Sequence, residues 1–352
     1  MKKTLIIRYH RLGDALIILP LIYDLAIKYP EDIFTVLSNA KLRVLFDLMP
    51  SNVKFIPMVS KKRHAVFRAL RYTIEKQLLL IKLGSMKFDN VALLQGESFE
   101  RRLFKRLYNK NVNVVKIENP EFDSSKRLSL NCNDGLSILG LHKEKLALLG
   151  YDNIIAKFDA SLLKNADISG LYQELAIDIQ KKTIAIAPFS LVESKIYPLE
   201  KMEEVVSYFS KNTRGEFNVV ILGGGNREKI IVDNWKIKYP SIINLIDRVS
   251  FSEEVSLIAQ CDLVLTMDSA NLHLASLLDT PVVSIWGTTV PKCGYYPEKE
   301  NIGRAIVKNV DCQPCSLWGD KLCMLESRKY DCMDIAPEIV IKKIEDVIYG
   351  NE

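Results

Sequence analysis

The chain has 352 residues, 48% hydrophobic and 26% charged, an ordinary composition for a soluble protein that excludes a disordered or collagen-like chain. No apolar run approaches the ~20 residues of a membrane span. Arg8, Arg11 and Asp14 also follow the basic start too soon for a signal-peptide core, so a cytoplasmic protein of two domains is expected. Net charge is +5, divided as +10 over residues 1–175 and −5 over the remainder, so the halves are expected to meet different partners.

The first half opens with a strand, Thr4 to Tyr9, a polar turn and a helix through Tyr29. Strands follow at Ile33 to Leu37, Val53 to Ile56, Asn90 to Leu94 and Val112 to Ile117. Helices are predicted at His64 to Leu83 and Phe99 to Tyr108. In the first of these Val66, Leu70, Ile74, Leu78 and Ile81 share one face, read as the core-packed face, with Arg68, Arg71, Lys76 and Lys82 beside it. The alternative is docking of its basic side on an anionic leaflet. Residues 61–106 hold 12 basic against 4 acidic residues. That excess suits an anionic ligand or membrane surface; without a nucleic-acid-binding signature, nucleic acid is not expected. Glu118 to Ile179 reads as mostly helical.

The alternation restarts at residue 183. Strands are predicted at Thr183 to Ala187, Asn218 to Leu222, Ile242 to Leu245, Leu263 to Thr266 and Val282 to Trp286. Helices are predicted at Leu199 to Ser210, Arg227 to Tyr239, Ser252 to Gln260, Ala270 to Leu278 and Pro337 to Tyr349. Strand–helix alternation in both halves predicts parallel α/β sheets. The expected organisation is one Rossmann-like domain over 1–175 and a second over 176–335, facing across a cleft. The helical segment 336–352 is expected to pack back on the first domain.

Four turns carry candidate chemistry, because ligands in such sheets sit at the carboxyl ends of the strands. The first is Arg8-Tyr9-His10-Arg11-Leu12-Gly13-Asp14. Asp14 is either a helix N-cap or a general base; Arg8 and Arg11 could hold an acidic acceptor, and Gly13 allows close backbone approach. The second runs from Pro188 to Pro198, where Ser190 and Lys195 could contact phosphate oxygens. The third, Gly223-Gly224-Gly225-Asn226-Arg227-Glu228, is neither a dinucleotide fingerprint nor a P-loop. Its Glu228 either accepts from ribose hydroxyls or complements a helix dipole. The fourth is Thr266-Met267-Asp268-Ser269-Ala270-Asn271-Leu272-His273. It delivers Asp268 and Ser269 to a helix start, which favours a diphosphate, with His273 one turn further in. Trp286-Gly287-Thr288-Thr289 ends the next strand beside it.

In this order the motifs resemble glycosyltransferase family nine, the ADP-heptose:lipopolysaccharide heptosyltransferases. The resemblance rests on Arg11-Leu12-Gly13-Asp14 with Leu19-Pro20, Ser194-Lys195-Ile196-Tyr197-Pro198, Asp268-Ser269-Ala270-Asn271-Leu272-His273-Leu274-Ala275 and Gly287-Thr288-Thr289. Cys312-Gln313-Pro314-Cys315 and the Cys332–Val340 segment complete it. The resemblance implies a GT-B fold, with Asp14 as base and Lys195 in the catalytic machinery. Donor contacts would come from Ser190, Lys195, Glu228, Asp268, Ser269, Ala270, His273 and Thr288, and acceptor contacts from Arg8, Arg11 and Gly13. It further implies an inverting transfer of a heptose-like sugar from an ADP-sugar to an anionic lipid-linked saccharide, with peripheral contact to the inner membrane. Ala270 stands where the family has glycine, about Val249 where a methionine is common, and 118–180 matches poorly. No Asp-x-Asp motif occurs, so no metal and no cofactor beyond the donor sugar is expected. A sugar-nucleotide 2-epimerase on the same scaffold and a non-catalytic nucleotide-sugar binder remain open alternatives.

Seven cysteines are present. The spacing of Cys312, Cys315, Cys323 and Cys332 makes a weak zinc candidate, because the second pair lacks the tight spacing of zinc ribbons. Reduced thiols are the favoured reading.

Overall fold

A computed structural model describes residues 1–58, 66–95, 98–107, 112–117, 137–212, 215–297, 302–316, 319, 323 and 329–351. Of the sequence expectations, the helical character of 118–136, the basic residues of 61–65 and Cys132 lie outside those residues. The described residues form two compact units that meet in sequence at Phe158 and Asp159.

The first unit carries five strands, β1 Lys3–Arg8, β2 Ile33–Asn39, β3 Val53–Met58, β4 Asn90–Leu93 and β5 Asn113–Lys116. All pair in parallel, in the order β3-β2-β1-β4-β5. The central strand β1 is buried along five of its six positions, as expected of a parallel sheet covered on both faces. Strand order reverses between β1 and β4, which makes the carboxyl end of β1 the topological switch point of this sheet.

The second unit repeats the plan with β6 Lys182–Ile186, β7 Phe217–Ile221, β8 Ile243–Asn244, β9 Leu263–Met267, β10 Val282–Trp286 and β11 Ala305–Val307. These are again parallel, in the order β11-β10-β9-β6-β7-β8. Its switch point lies between β6 and β9. Short strands of fully buried Ile, Val and Leu build a core around Ile186, Ile221, Leu265 and Ile285.

Three expectations change. The unit boundary falls at 158/159 rather than 175/176, because long-range hydrogen bonds assign the connecting residues. Tyr151 Oη lies 2.6 Å from Thr4 Oγ1, and Asp24 accepts from the Ile155 N–H, which ties 151–155 to the first sheet. Gln260 donates to the carbonyls of Leu163 and Ala166, which ties the next stretch to the second unit. The helix Pro337–Tyr349, expected to pack on the first domain, buries Val340 and Ile344 in the core of the second unit. On the helix Val66–Ser85 the expected core face is reversed, since Leu80 and Leu83 are buried while Ile74, Leu78 and Ile81 are exposed. The strand β11 and the short helical turns at 40–46 were not anticipated from the sequence.

The first core also encloses an ionisable group. His142, on the helix Ile138–Ala147, is completely buried. Burial, reinforced by the positive Arg8 and opposed by the Ile138 backbone, brings its pKa down to about 3. The unfolded chain therefore binds a proton at His142 that the folded chain refuses, so stability is lost as pH falls below the ordinary histidine value near 6.5. Urea unfolding is expected to show a loss of ~2 kcal/mol from this group between pH 7 and pH 5, absent in His142→Leu; equal acid sensitivity in both proteins would remove the assignment.

Candidate active site

The turn after β1 is held from both neighbouring strands. Ser38 Oγ, at the end of β2, donates to the Arg8 carbonyl at 2.7 Å. Gln95, just beyond β4, accepts from the N–H groups of Tyr9 and His10 at 2.8 and 3.0 Å. Arg11 then takes φ 55°, ψ 124°, a region that side chains with a Cβ rarely occupy and that costs on the order of 1–3 kcal/mol. Strain of this kind persists only where surrounding bonds over-determine the backbone, and Ser38 and Gln95 supply them. The helix Leu12–Ile17 starts directly afterwards, with Asp14 in its first turn and no side-chain cap.

Asp14 is therefore not an N-cap. Its Oδ2 lies 2.9 Å from Arg8 Nη2, while Arg8 Nη1 donates to the Leu94 carbonyl at 3.0 Å. Arg8 is buried and committed to these two partners, so it is not arranged as a surface cation for an acceptor; it fixes the carboxylate that follows it. Arg11 remains exposed, and Gly13 is half-buried between Arg11 and Asp14. The result is a carboxylate at a switch point, oriented by a buried guanidinium.

The second switch point carries the complementary charge. Lys195 lies in a short helical turn, Glu193–Lys195, of the loop after β6. Its Nζ lies 2.6 Å from Asp268 Oδ2 at the end of β9, and both side chains are largely buried. Thr289 Oγ1 donates to the same oxygen at 2.7 Å. Ser194 Oγ lies 3.0 Å from Thr288 Oγ1 and donates to the Gly319 carbonyl at 2.7 Å. Gly319, at φ +73°, is packed so closely that a Cβ there would come within 2.6 Å of Lys195 Cε. A lysine ammonium has three donors, and Asp268 engages one. The carboxylate thus fixes the position of Lys195, and Thr288 and Thr289 brace that arrangement.

Ser269 caps the helix Ala270–Leu277: its Oγ accepts from the Asn271 N–H and lies 2.9 Å from Thr266 Oγ1. Ala270 opens that helix, and His273 is buried within it. Glu228 accepts from the Gly224 N–H at 2.7 Å across the glycine turn. Burial raises its pKa, partly offset by that hydrogen bond. Ser190 is half-buried and accepts weakly from the Val192 N–H. Of the expected donor residues, Lys195, Asp268 and Thr288 come together in one braced cluster with Ser269 beside Asp268 in the chain. Glu228 belongs to the separate turn after β7. Ser38, Gln95 and Gly319 were not anticipated as site residues, while Ser194 and Thr289 were read within motifs but given no individual role; the available signal was that Ser38 and Gln95 lie at or near the end of a strand.

Among the described residues no three His, Cys, Asp or Glu side chains converge to hold a metal ion. Burial, then the neighbouring Cys315, Cys312 and Cys323, push the Cys332 thiol up to about 11, which keeps it protonated near neutral pH. Cys315 instead donates its backbone N–H to the Thr288 carbonyl, so this segment braces the loop that carries Thr288.

With this geometry in place, comparison with known proteins is informative. Residues 153–322 match the model of glycosyltransferase family 9 (heptosyltransferase). The matched segment contains Lys195, Asp268, Thr288 and Thr289 but not Asp14. Lipooligosaccharide heptosyltransferase 2 of Campylobacter jejuni is 28% identical over 150 residues, 40% of this chain. The match spans 45% of that relative, so the chain matches less than half its length. Two solved structures share the fold over the whole chain. A family 9 glycosyltransferase of Veillonella parvula superposes with TM-score 0.71 at 18% identity, over 99% of this chain and 97% of its own. The E. coli ADP-heptose lipopolysaccharide heptosyltransferase II gives 0.68 at 17% identity, over 100% and 99%. The two parallel-sheet units therefore form a GT-B fold.

The Lys195–Asp268 pair is expected to behave as one buried unit. Lys195→Met and Asp268→Asn should each destabilise the second unit by about 3 kcal/mol, because either leaves an uncompensated partner. The double variant should cost less than the sum. Urea unfolding of the four proteins gives the coupling, and strict additivity would contradict the pair.

Proposed function

We propose that the chain is an inverting transferase that moves a heptose from ADP-heptose to a lipopolysaccharide-type acceptor. The observation that carries this reading is the coincidence of the family 9 segment with the Lys195–Asp268–Thr289 cluster at a sheet switch point. Such an edge is where α/β sheets bind nucleotides.

In this reading an Asp14 carboxylate oxygen takes the proton of the acceptor hydroxyl as that oxygen attacks the anomeric carbon. The bond from that carbon to the diphosphate oxygen breaks with inversion, and ADP leaves carrying the electron pair. Negative charge grows on the departing diphosphate. Lys195, already fixed by Asp268, and the N–H groups at the Ser269–Ala270 helix start would stabilise it without reorganising. Ser190 would add a hydroxyl donor, and Glu228, at the start of the helix after β7, would accept from the ribose hydroxyls. Arg11 would face anionic groups of the acceptor, while Arg8 acts through Asp14. The expected partner is an anionic lipid-linked saccharide, reached from the inner face of a membrane. Consistent with peripheral contact, no helix of the described residues is long and apolar enough to cross one.

Acceptor-dependent chemistry tests the proposal. The full chain with ADP-heptose and a heptose-deficient lipooligosaccharide should release ADP and increase the acceptor mass by one heptose. Without acceptor, ADP release should stay near the blank. ADP-heptose should raise the melting temperature more than UDP- or GDP-sugars, because selective binding stabilises the native state by mass action. Conversion of the nucleotide sugar without acceptor, or a response to UDP-sugars alone, would overturn the reading.

A further inference from the structure

His142 has no part in the proposed transfer, yet it lies beside a residue that does. It is completely buried, and neither ring nitrogen makes a well-formed hydrogen bond. Arg8 has the complementary gap. Its Nη1 and Nη2 are engaged by the Leu94 carbonyl and Asp14, but its Nε, shielded from solvent as well, has no acceptor. Buried polar groups in native proteins are almost always paired, so two orphans in one core call for a common explanation.

The topology puts both in one layer. Side chains alternate along a strand, so Thr4, Ile6 and Arg8 share one face of β1, while Leu5, Ile7 and Tyr9 enter the core on the other. Thr4 Oγ1 lies 2.6 Å from Tyr151 Oη, and the Tyr151 N–H donates to the Leu146 carbonyl of the helix Ile138–Ala147. That helix therefore ends near the start of β1, and its first turns lie toward Arg8, whose charge is felt at His142. The chemistry is complementary too. A guanidinium only donates, whereas a neutral imidazole has one N–H and one lone pair. The Ile138 carbonyl, one turn earlier, favours the proton on its side of the ring, which leaves the lone pair for another donor. We propose that this His142 lone pair accepts the Arg8 Nε–H, with at most one internal water between them, and that His142 is thereby a positioning residue for Asp14, acting through Arg8. Nε, Nη1 and Nη2 are then each fixed, by His142, Leu94 and Asp14, which sets the guanidinium plane. Without the imidazole, Arg8 is free to pivot about its two remaining partners, and the carboxylate moves with it. Internal waters serve buried orphans in this way.

The positioning role rests on the transferase reading; the hydrogen bond does not, and the two are measured separately. Nuclear magnetic resonance of the full chain with ring-15N histidine reads the bond. The protein has four histidines, and His142→Leu identifies the signal. The unprotonated His142 nitrogen is expected upfield of an unbonded imidazole nitrogen, and it should move to the unbonded position in Arg8→Met. In heptose-transfer assays His142→Leu should lower kcat at least about tenfold with KM for ADP-heptose unchanged, because displacing a reacting group costs rate. His142→Gln, whose side-chain carbonyl can accept from Nε, should recover most of that rate, which a packing defect would not. An unbonded nitrogen in the parent, a signal indifferent to Arg8→Met, parent-level kcat in His142→Leu, or His142→Gln no better than His142→Leu would each overturn the proposal. A parent with the bonded nitrogen but no heptose transfer would overturn the transferase reading and leave the hydrogen bond standing.

Discussion

The ion pair between Arg8 and Asp14 is the constraint on which the first unit's chemistry depends. A carboxylate in the first turn of a helix, directly after the central strand of a parallel sheet, stands where the sheet leaves a crevice. By itself that placement gives an acid with free rotamers. The buried guanidinium removes that freedom, because Arg8 is held by the Leu94 carbonyl on one nitrogen and meets the carboxylate with another. Ser38 and Gln95 grip the backbone on either side, and Arg11 bears the conformational cost in its positive φ. The carboxylate is thus oriented by the strands beside it rather than by the loop that carries it.

The second unit solves the converse problem with the same topology. Here the switch point must present positive charge, and a lysine on a loop is ordinarily mobile. Asp268 and the close approach of Gly319 confine it. Thr289 donates to the same oxygen of the carboxylate, and Thr288 ties the neighbouring loop to Ser194. The pair is electrically neutral overall. In the proposed reading its contribution to a diphosphate site would be one of preorganisation, a fixed ammonium with spare donors, rather than of net charge. Partial positive potential would come from the N–H groups of the helix start at Ser269.

Much of this was legible in the sequence, and the parts that were not have a common cause. Buried parallel strands announce themselves as short Ile/Val/Leu runs, so the alternation, the two sheets and the four strand-end motifs could be read directly. Strand β11 could not, since three residues are too few to carry a period. On the helix Val66–Ser85 a stripe was visible, but periodicity says that a face is apolar, not that it is the face that packs; Leu80 and Leu83 form a second stripe that competes with the first. The unit boundary and the partners of Arg8 depend on contacts between residues far apart in the chain. The Gln95 clamp joins positions more than 80 residues apart, and no local pattern encodes it. The cap reading of Asp14 was open in the sequence and falls only with the placed backbone, which puts Arg11 at the N-cap and Asp14 in the first turn.

In the proposed transfer Asp14, oriented by Arg8, is the base. The most direct measurement compares Asp14→Asn with the parent for both ADP-heptose binding, by calorimetry, and heptose transfer to lipooligosaccharide. The amide keeps the shape but cannot accept the proton. Transfer is predicted to fall by about 10²–10⁴-fold, as for loss of a general base, with donor affinity unchanged. Transfer at the parent rate, or loss of donor binding in step with loss of transfer, would contradict the assignment.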